Sequence, residues 1–182
     1  MGMTSHELRI EHARIYATAA HAAVGQKRKY SGEPYIVHPA EVARLVQSIP
    51  HITEMAMAAW LHDVVEDTQA TIEQIRQEFG DMVARYVEGL TNVAGPSDGN
   101  HSERFKVNCL HLAAQPAEVQ TIKIADMIAN TTSVVQHDRA FAATYLREKW
   151  QVLLLLTKGD STLTQLAWKT VKHGLHELEQ IA

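Results

Sequence analysis

The sequence contains a single cysteine, Cys109, among its 182 residues. One cysteine excludes an intramolecular disulfide and a zinc site built from several thiolates, and it favours a reducing compartment. Long apolar runs are also lacking. The longest aliphatic stretch, VLLLL at 152–156, is far shorter than the roughly 20 residues needed to span a bilayer. The first residues, MGMTSHELRI, contain no apolar core of a secretory signal. We therefore expect a cytoplasmic protein that does not cross a membrane.

The chain also lacks an excess of positive charge. The chain has 17 Lys and Arg against 21 Asp and Glu, a formal net charge of −4. Because contacts to phosphates dominate the affinity of proteins for nucleic acids, duplex DNA and bulk RNA are not expected partners. Any phosphate bound here must meet a local cluster of cations. We expect a small molecule as the partner, and the composition leaves the oligomeric state open.

Sustained period-two alternation, which is typical of half-buried strands, occurs nowhere in the chain, whereas apolar residues recur at helical spacing through most of it. With 46% hydrophobic residues, the chain is long enough for one core. We predict an all-α fold class, a compact multi-helix bundle, in one domain over 1–182. The expected helices cover about 5–24, 39–48, 53–67, 72–79, 82–91, 102–114, 117–135, 139–158 and 161–180.

Several helix ends are predicted from their local residues. Pro39 fits the first helical position, which makes His38 the N-cap of the second helix. Thr71 begins a capping box with a glutamine three residues later, and Asp81 is expected to cap the next helix. The stretch NVAGPSDGN at 92–100 is the clearest loop. It could divide the helices into two layers, and we do not predict a domain boundary there.

The stretch AAWLHDVVEDT at 58–68 places one histidine and three carboxylates in an otherwise apolar segment. A buried charge costs several kcal/mol unless it is paired or bound to a metal. If the segment were one continuous helix, its polar side chains would lie on one face of that helix. Measured from His62 around the helix axis, the angles are about 40° for Glu66, 100° for Asp63 and 140° for Asp67. This face is either a solvated helix surface, the commoner explanation, or part of a metal site.

Two residues elsewhere favour the metal site. His38 precedes Pro39 at a predicted helix start, and Asp126 lies inside the apolar stretch TIKIADMIAN. Together with His62 and Asp63 they make a mixed nitrogen and oxygen ligand set. Such a set suits a borderline-to-hard divalent ion such as Mn²⁺.

Four motifs occur in a fixed order: RKxxGEPYIVHP at 28–39, LHDVVEDTxxT at 61–71, FGxxVxxxVxGLT at 79–91 and IKxADxxxN at 122–130. Over about 12–135, the chain resembles the hydrolase domain of the RelA/SpoT family, within the HD metal-dependent phosphohydrolase superfamily. It is similar to the small stand-alone alarmone hydrolases. The resemblance implies Mn²⁺-dependent hydrolysis of the 3′-diphosphate of guanosine tetra- or pentaphosphate, which releases pyrophosphate and leaves GDP or GTP.

The resemblance also implies roles for individual residues. One Mn²⁺ ion per chain is expected to be held by His38, His62, Asp63 and Asp126. The carboxylates of Glu66 and Asp67 are expected to orient and deprotonate the attacking water. The metal supplies Lewis acidity and lowers the pKa of a bound water.

Substrate contacts are expected from seven basic or polar residues: Arg28, Lys29, Asn130, Ser133, Arg104, Lys106 and Lys123. By resemblance, the first two line the nucleotide pocket, where a guanidinium stacks on a purine or binds phosphate. Asn130 is expected to contact the ribose, with Ser133 extending the same helix face. The last three residues of the series are candidates for holding the distant diphosphate.

Two other functions remain open. The alternatives are another HD-type nucleotidase or phosphodiesterase, and a non-catalytic, regulatory module that binds alarmones. Retention of Glu66 and Asp67 beside the HD pair argues against a pure binding module, which has no need of carboxylates that activate water. The residues do not decide between guanine and adenine, so adenine-based alarmones are a second possible substrate.

Overall fold

The computed structural model describes residues 2–180 and is helical over most of that length. The helices are α1 Ser5–Ala23, α2 Val37–Gln47, α3 Thr53–Leu61, α4 Val64–Asp67, α5 Ile72–Phe79, α6 Asp81–Leu90, α7 His101–Ala114, α8 Ala117–His137, α9 Arg139–Leu155 and α10 Ser161–Glu179. Residues 2–180 contain no strand, and one isolated antiparallel bridge joins Lys27 to Pro34. The predicted all-α class is confirmed. In the same range, no helix is both long and apolar enough to cross a membrane.

The contacts divide the chain into two units, Met1–Asn92 and Val93–Ala182. The division falls at the start of the predicted loop 92–100, which is indeed free of helix. Each unit has its own buried side chains. The assignment of both units to one domain stays a prediction.

The first unit is built around α3. This helix contacts α1, α2 and α6, and α5 packs on α6. Its side chains are almost all removed from solvent, including Met57 and Leu61 at 2% and 0% exposure. Burial of such side chains contributes roughly 1.5–3 kcal/mol each. The segment that carries the HD pair therefore leaves directly from the most buried helix of its unit.

The second unit is built around α8, which contacts α7, α9 and α10. One fully buried amide, that of Gln120, joins three segments of this unit. Its Nε2 donates to the carbonyls of Leu112, Ala113 and Gln115, at 3.3, 3.0 and 3.1 Å. Its Oε1 accepts the backbone N–H of Lys158 at 2.9 Å. This amide forms hydrogen bonds with backbone groups at the end of α7 and in the connection between α9 and α10, and so holds both segments against α8.

Two of the predicted helix ends are confirmed. The Thr71 side chain accepts the N–H of Gln74, whose side chain accepts the N–H of Thr71, so the capping box is complete. Helix α5 then ends at Gly80, whose φ of 90° suits a residue without a Cβ. The N-cap role of Asp81 is wrong, because Gly80 is the N-cap and Asp81 is the first helical residue. Its carboxylate there stabilises the helix dipole instead of capping an N–H group.

The predicted N-cap role of His38 is also wrong. Helix α2 begins at Val37, with Ile36 as its N-cap, so His38 is the second helical residue. The preceding turn causes the difference, because the N–H of Val37 already donates to the carbonyl of Pro34. Pro39 is tolerated at the third position, since the first N–H groups of a helix have no intrahelical partner. His38 consequently points into the unit and is 2% exposed.

The predicted continuous helix over 53–67 is wrong at the HD pair. Helix α3 ends at Leu61, and α4 begins only at Val64. Between them, Asp63 has φ −101° and ψ −4°, the sparsely populated bridge region in which many active-site residues lie. The angles calculated for one continuous helix therefore do not apply. His62 and Asp63 lie in a turn, which brings their side chains close to each other.

Candidate functional site

The turn after α3 determines which ring nitrogen of His62 carries a proton. Its Nδ1 lies 2.9 Å from the carbonyl oxygen of Ala59. A carbonyl only accepts hydrogen bonds, so Nδ1 carries the ring proton and Nε2 of the neutral ring presents a lone pair. The ring is 3% exposed. A fixed tautomer with a buried Nε2 is the usual state of a histidine that binds a metal.

Three ligand-type atoms converge at this point. Nε2 of His62 lies 3.2 Å from Nε2 of His38 and 2.9 Å from Oδ2 of Asp63. Nε2 of His38 lies 3.6 Å from the same carboxylate oxygen. Two unprotonated ring nitrogens and a carboxylate oxygen repel one another unless a cation lies between them. Ligand atoms bound at right angles to one ion, about 2.1 Å away, would be about 3 Å apart. The donor set of the first unit therefore fits a divalent ion.

Tyr35 is part of this cluster, although it was not among the predicted site residues. Its hydroxyl donates to Oδ2 of Asp63 at 2.5 Å, and its ring packs against that of His38 with centroids 5.7 Å apart. The hydrogen bond fixes the carboxylate in the orientation that faces the two histidines. The signal was present in the motif GEPYIVHP, where Tyr35 precedes His38 by three residues.

Glu66 and Asp67 lie on the short helix α4, directly after the HD turn, and both are exposed. Oε1 of Glu66 accepts the backbone N–H of Asn92. Oδ2 of Asp67 accepts Nε2 of Gln26 at 2.8 Å. The unit thus holds two oriented anionic groups close in sequence to the ligand cluster.

Arg28 and Lys29 lie in the turn that links α1 to α2. The N–H of Arg28 donates to the carbonyl of Glu33 at 2.9 Å. The Arg28 guanidinium lies 5.9 Å from the centroid of the Tyr35 ring, whereas Nζ of Lys29 lies 4.8 Å from that of Tyr30. Arg28 is therefore next to the residue that contacts Asp63.

In the second unit, three predicted residues lie on one face of α8. Nζ of Lys123 lies 2.8 Å from Oδ2 of Asp126, and Nδ2 of Asn130 donates to Oδ1 at 2.6 Å. Their spacing of three and four residues places them on adjacent turns. Asp126 is 7% exposed, and half-buried Ser133 lies about one turn after Asn130. The carboxylate of Asp126 is thus buried, paired and held in one orientation.

Helix α9 adds a cation, Lys149, that is not among the predicted site residues. Nζ of Lys149 lies 4.7 Å from the centroid of the Tyr145 ring, on the same helix. Burial lowers the pKa of the Lys149 ammonium, and the nearby charge of Lys123 lowers it further. The available signal was the spacing of four residues between Tyr145 and Lys149, which is weak by itself.

The remaining two predicted residues lie at the start of α7. Nη1 of Arg104 donates to the carbonyl of Gly99 at 2.6 Å, and Lys106 is exposed. Within residues 2–180, neither forms a hydrogen bond or ion pair with Lys123 or Asp126. Their roles in substrate binding stay predictions.

A family model described as the HD domain matches residues 13–153. The chain belongs to the HD domain family. HD domain hydrolases bind a divalent metal, and buried side chains with suitable ligand atoms are present at three of the predicted positions, His38, His62 and Asp126. The assignment of Asp126 to the same ion as the two histidines rests on the motif and stays a prediction.

Curated relatives of this HD domain chain include a protein named guanosine-3′,5′-bis(diphosphate) 3′-pyrophosphohydrolase from Aquifex aeolicus. It is 33% identical over 130 residues, which are 71% of this chain and 18% of that protein. A GTP pyrophosphokinase from Streptomyces coelicolor is 32% identical over 166 residues, 91% of this chain and 19% of that protein. The chain spans about a fifth of the length of these relatives. The resemblance to RelA/SpoT hydrolases is confirmed.

A solved structure agrees with the fold over most of the chain. It belongs to a metazoan ortholog of SpoT that is described as hydrolysing ppGpp and playing a role in starvation responses. The two structures have a TM-score of 0.82 and 23% sequence identity, and the match covers 95% of this chain and 97% of that one. At this level of identity the likeness supports the all-α HD domain fold.

Proposed function

We propose that the chain hydrolyses the 3′-diphosphate of guanosine tetra- or pentaphosphate, releasing pyrophosphate and leaving GDP or GTP. The supporting observation is the convergence of His38, His62 and Asp63 directly before the carboxylates of Glu66 and Asp67. The relative from Aquifex aeolicus is named for this reaction. Adenine-based alarmones are a second substrate class, because none of the contacts described above selects guanine.

The metal in this proposal is Mn²⁺, held by His38, His62, Asp63 and Asp126. Nitrogen and carboxylate ligands together suit this ion. When bound, the ion supplies Lewis acidity and lowers the pKa of a water molecule. The Tyr35 hydroxyl keeps the Asp63 carboxylate facing the two histidines.

The carboxylates after the HD pair are proposed to act on the water. Glu66 and Asp67 orient it and accept its proton as it attacks the phosphorus bonded to the 3′-oxygen. The bond between that phosphorus and the 3′-oxygen breaks, and the 3′-oxygen takes up a proton. Their present partners, the N–H of Asn92 and the amide of Gln26, hold the two carboxylates in place.

Substrate binding is proposed to use the predicted basic and polar residues. Half-buried Arg28 can stack on the purine or bind a phosphate, while Lys29 adds an exposed cation. Asn130, with Ser133, would contact the ribose. Lys123 is a candidate for the distant diphosphate, since its ammonium lies beside the proposed metal ligand Asp126. Arg104 and Lys106 are further candidates for that diphosphate.

A cytoplasmic location also belongs to the proposal. The only cysteine, Cys109, is buried and free, as is common for proteins of reducing compartments. Alarmones are small nucleotides, so the expected partner is a soluble small molecule.

The decisive experiment incubates the purified chain with Mn²⁺ and guanosine tetraphosphate and measures GDP and pyrophosphate. Asp63→Ala should abolish turnover, because it removes one ligand and the acceptor of the Tyr35 hydrogen bond. Asp81→Ala is the matched control, since this carboxylate is exposed at the start of α6 in the same unit. Equal activity of Asp63→Ala and the wild type would contradict the metal assignment.

The same assay separates the other functions. Turnover of cyclic nucleotides or 5′-monophosphates alone would indicate another HD-type nucleotidase. Tight binding of guanosine tetraphosphate without turnover would indicate a regulatory binding module. Formation of guanosine pentaphosphate from ATP and GTP would indicate the activity for which the Streptomyces coelicolor relative is named.

A further inference from the structure

Gln26 occupies a fixed position directly after the turn that ends α1. Its N–H donates to the carbonyl of His21 at 3.1 Å, and its carbonyl accepts the N–H of Tyr35 at 3.2 Å. With its backbone held on both sides, the side chain lies between His21 and Asp67. Nε2 is 2.8 Å from Oδ2 of Asp67, and Oε1 is 2.7 Å from Nδ1 of His21.

Only one assignment of the amide satisfies both contacts. An ionised carboxylate accepts hydrogen bonds and cannot donate them, so the NH₂ group of Gln26 must face Asp67. The amide oxygen therefore faces His21, and Nδ1 of His21 must carry a proton to donate to it. The three side chains form a directed relay, from the His21 ring through the amide to the carboxylate of Asp67.

His21 is suited to the start of such a relay because it is a neutral donor inside the unit. The residue is 1% exposed, and burial lowers the pKa of its ring. A neutral ring has one N–H, which this arrangement assigns to Nδ1. Its Nε2 is buried and has no hydrogen-bond partner within residues 2–180. The ring packs against that of Tyr35, with centroids 4.8 Å apart.

We propose that His21 and Gln26 are positioning residues for Asp67, and that they hold its carboxylate in the orientation needed to accept a proton from water. This inference rests on the proposed role of Asp67 in hydrolysis. Asp67 is the exposed last residue of a four-residue helix, and within residues 2–180 its carboxylate accepts one hydrogen bond, from Gln26. The relay engages Oδ2 and leaves Oδ1 for the water.

The first test compares two glutamines that each donate to a carboxylate in the same unit. Gln26→Met removes the donor at similar volume, and Gln77→Met removes the exposed bond from Gln77 to Glu73 on α5. Loss of a hydrogen-bond partner that orients a metal ligand typically lowers metal affinity or activity 10–100-fold, and we take the lower end of this range for a partner of Asp67. We expect Gln26→Met to lower kcat about 10-fold with KM changed less than about twofold, and Gln77→Met to change neither. Equal kcat values for the two variants would overturn the proposal.

A double-mutant cycle with Asp67→Asn tests whether Gln26 acts through Asp67. If it does, Gln26→Met should lower kcat less than about twofold in the Asp67→Asn background. A full second loss would show that Gln26 acts elsewhere. Wild-type activity of Asp67→Asn itself would contradict the proposed role of Asp67, which is a separate failure.

A measurement that does not depend on activity tests the hydrogen bond between His21 and Gln26. The ¹⁵N chemical shifts of the His21 ring should report a protonated Nδ1 and an unprotonated Nε2, and they should change in Gln26→Met. An Nε2–H tautomer, or unchanged shifts in the variant, would overturn the relay. If the wild type does not hydrolyse the alarmone, the proposed function fails, and these shifts still decide whether the relay exists.

Discussion

Removal of the Tyr35 hydroxyl is the most direct perturbation of the candidate metal centre. The hydroxyl donates to Oδ2 of Asp63 at 2.5 Å, and the same oxygen faces the Nε2 atoms of His38 and His62. Tyr35→Phe deletes this donor and keeps the ring that packs against His21 and His38. The variant therefore changes the orientation of one ligand and leaves its surroundings filled.

The size of the effect follows from the charge of the acceptor. A hydrogen bond to a charged group contributes about 1.5–3 kcal/mol, and supporting partners of metal ligands typically account for 10–100-fold in affinity. We expect Tyr35→Phe to weaken the binding of Mn²⁺ about 10-fold. Without metal, loss of this hydrogen bond should lower the free energy of unfolding by about 1.5–3 kcal/mol, and the ring, which stays in place, should add no further loss.

Titration of Mn²⁺ followed by the electron paramagnetic resonance of the free ion measures this affinity directly. The control is Tyr16→Phe in the same unit, whose ring packs edge-on against Phe79 and whose hydroxyl forms no hydrogen bond within residues 2–180. Unchanged Mn²⁺ affinity of Tyr35→Phe, with Tyr16→Phe equal to it, would refute the assignment of Asp63 as a ligand positioned by Tyr35.

Three further predictions concern stability. Gln120→Leu should lower the free energy of unfolding by about 2–3 kcal/mol, or Tm by about 5–10 °C, because it removes the amide's hydrogen bonds to three carbonyls and leaves the N–H of Lys158 without its acceptor. Thermal unfolding checks this prediction, with exposed Gln47→Leu as the control. Lys149→Met should raise Tm without nucleotide at pH 7, because burial lowers the pKa of this lysine, and the difference from the wild type should shrink as the pH rises toward 10.5; a lower Tm for the variant would contradict this. The buried ring of His21 has a pKa below 6.5, so the unfolded chain binds more protons and stability should fall as the pH drops below 6.5. The free energy of unfolding, measured with urea between pH 8 and 5, should depend less on pH in His21→Phe than in the wild type. An identical pH dependence for both proteins would refute this.

The helical content follows from local patterns that act within a few residues. Apolar spacing predicts most helices to within a few residues, and the capping box at Thr71 forms as expected. The loop 92–100 is also found where glycine and proline predict it. Such features depend on hydrogen bonds and backbone preferences between near neighbours, so the sequence is sufficient to predict them.

The break at the HD pair shows where local patterns fail. Apolar periodicity continues through 58–68 and favours one helix, yet the chain leaves the helix at His62 and Asp63. The turn is stabilised by hydrogen bonds from other segments, above all from the Tyr35 hydroxyl to Asp63 and from the Gln26 amide to Asp67. A helix propensity of a few tenths of a kcal/mol per residue is smaller than these interactions.

By itself, the sequence determined the all-α class, the order of the motifs and the identity of the candidate ligands, because these depend on residue type and near spacing. Only the tertiary structure showed which atoms face one another: Tyr35 on Asp63, Gln26 between His21 and Asp67, and Lys149 beside Tyr145. Except for Lys149 and Tyr145, these partners come from separate helices and turns. Their approach is set by the burial of apolar side chains throughout each unit, and no short window of sequence encodes that burial.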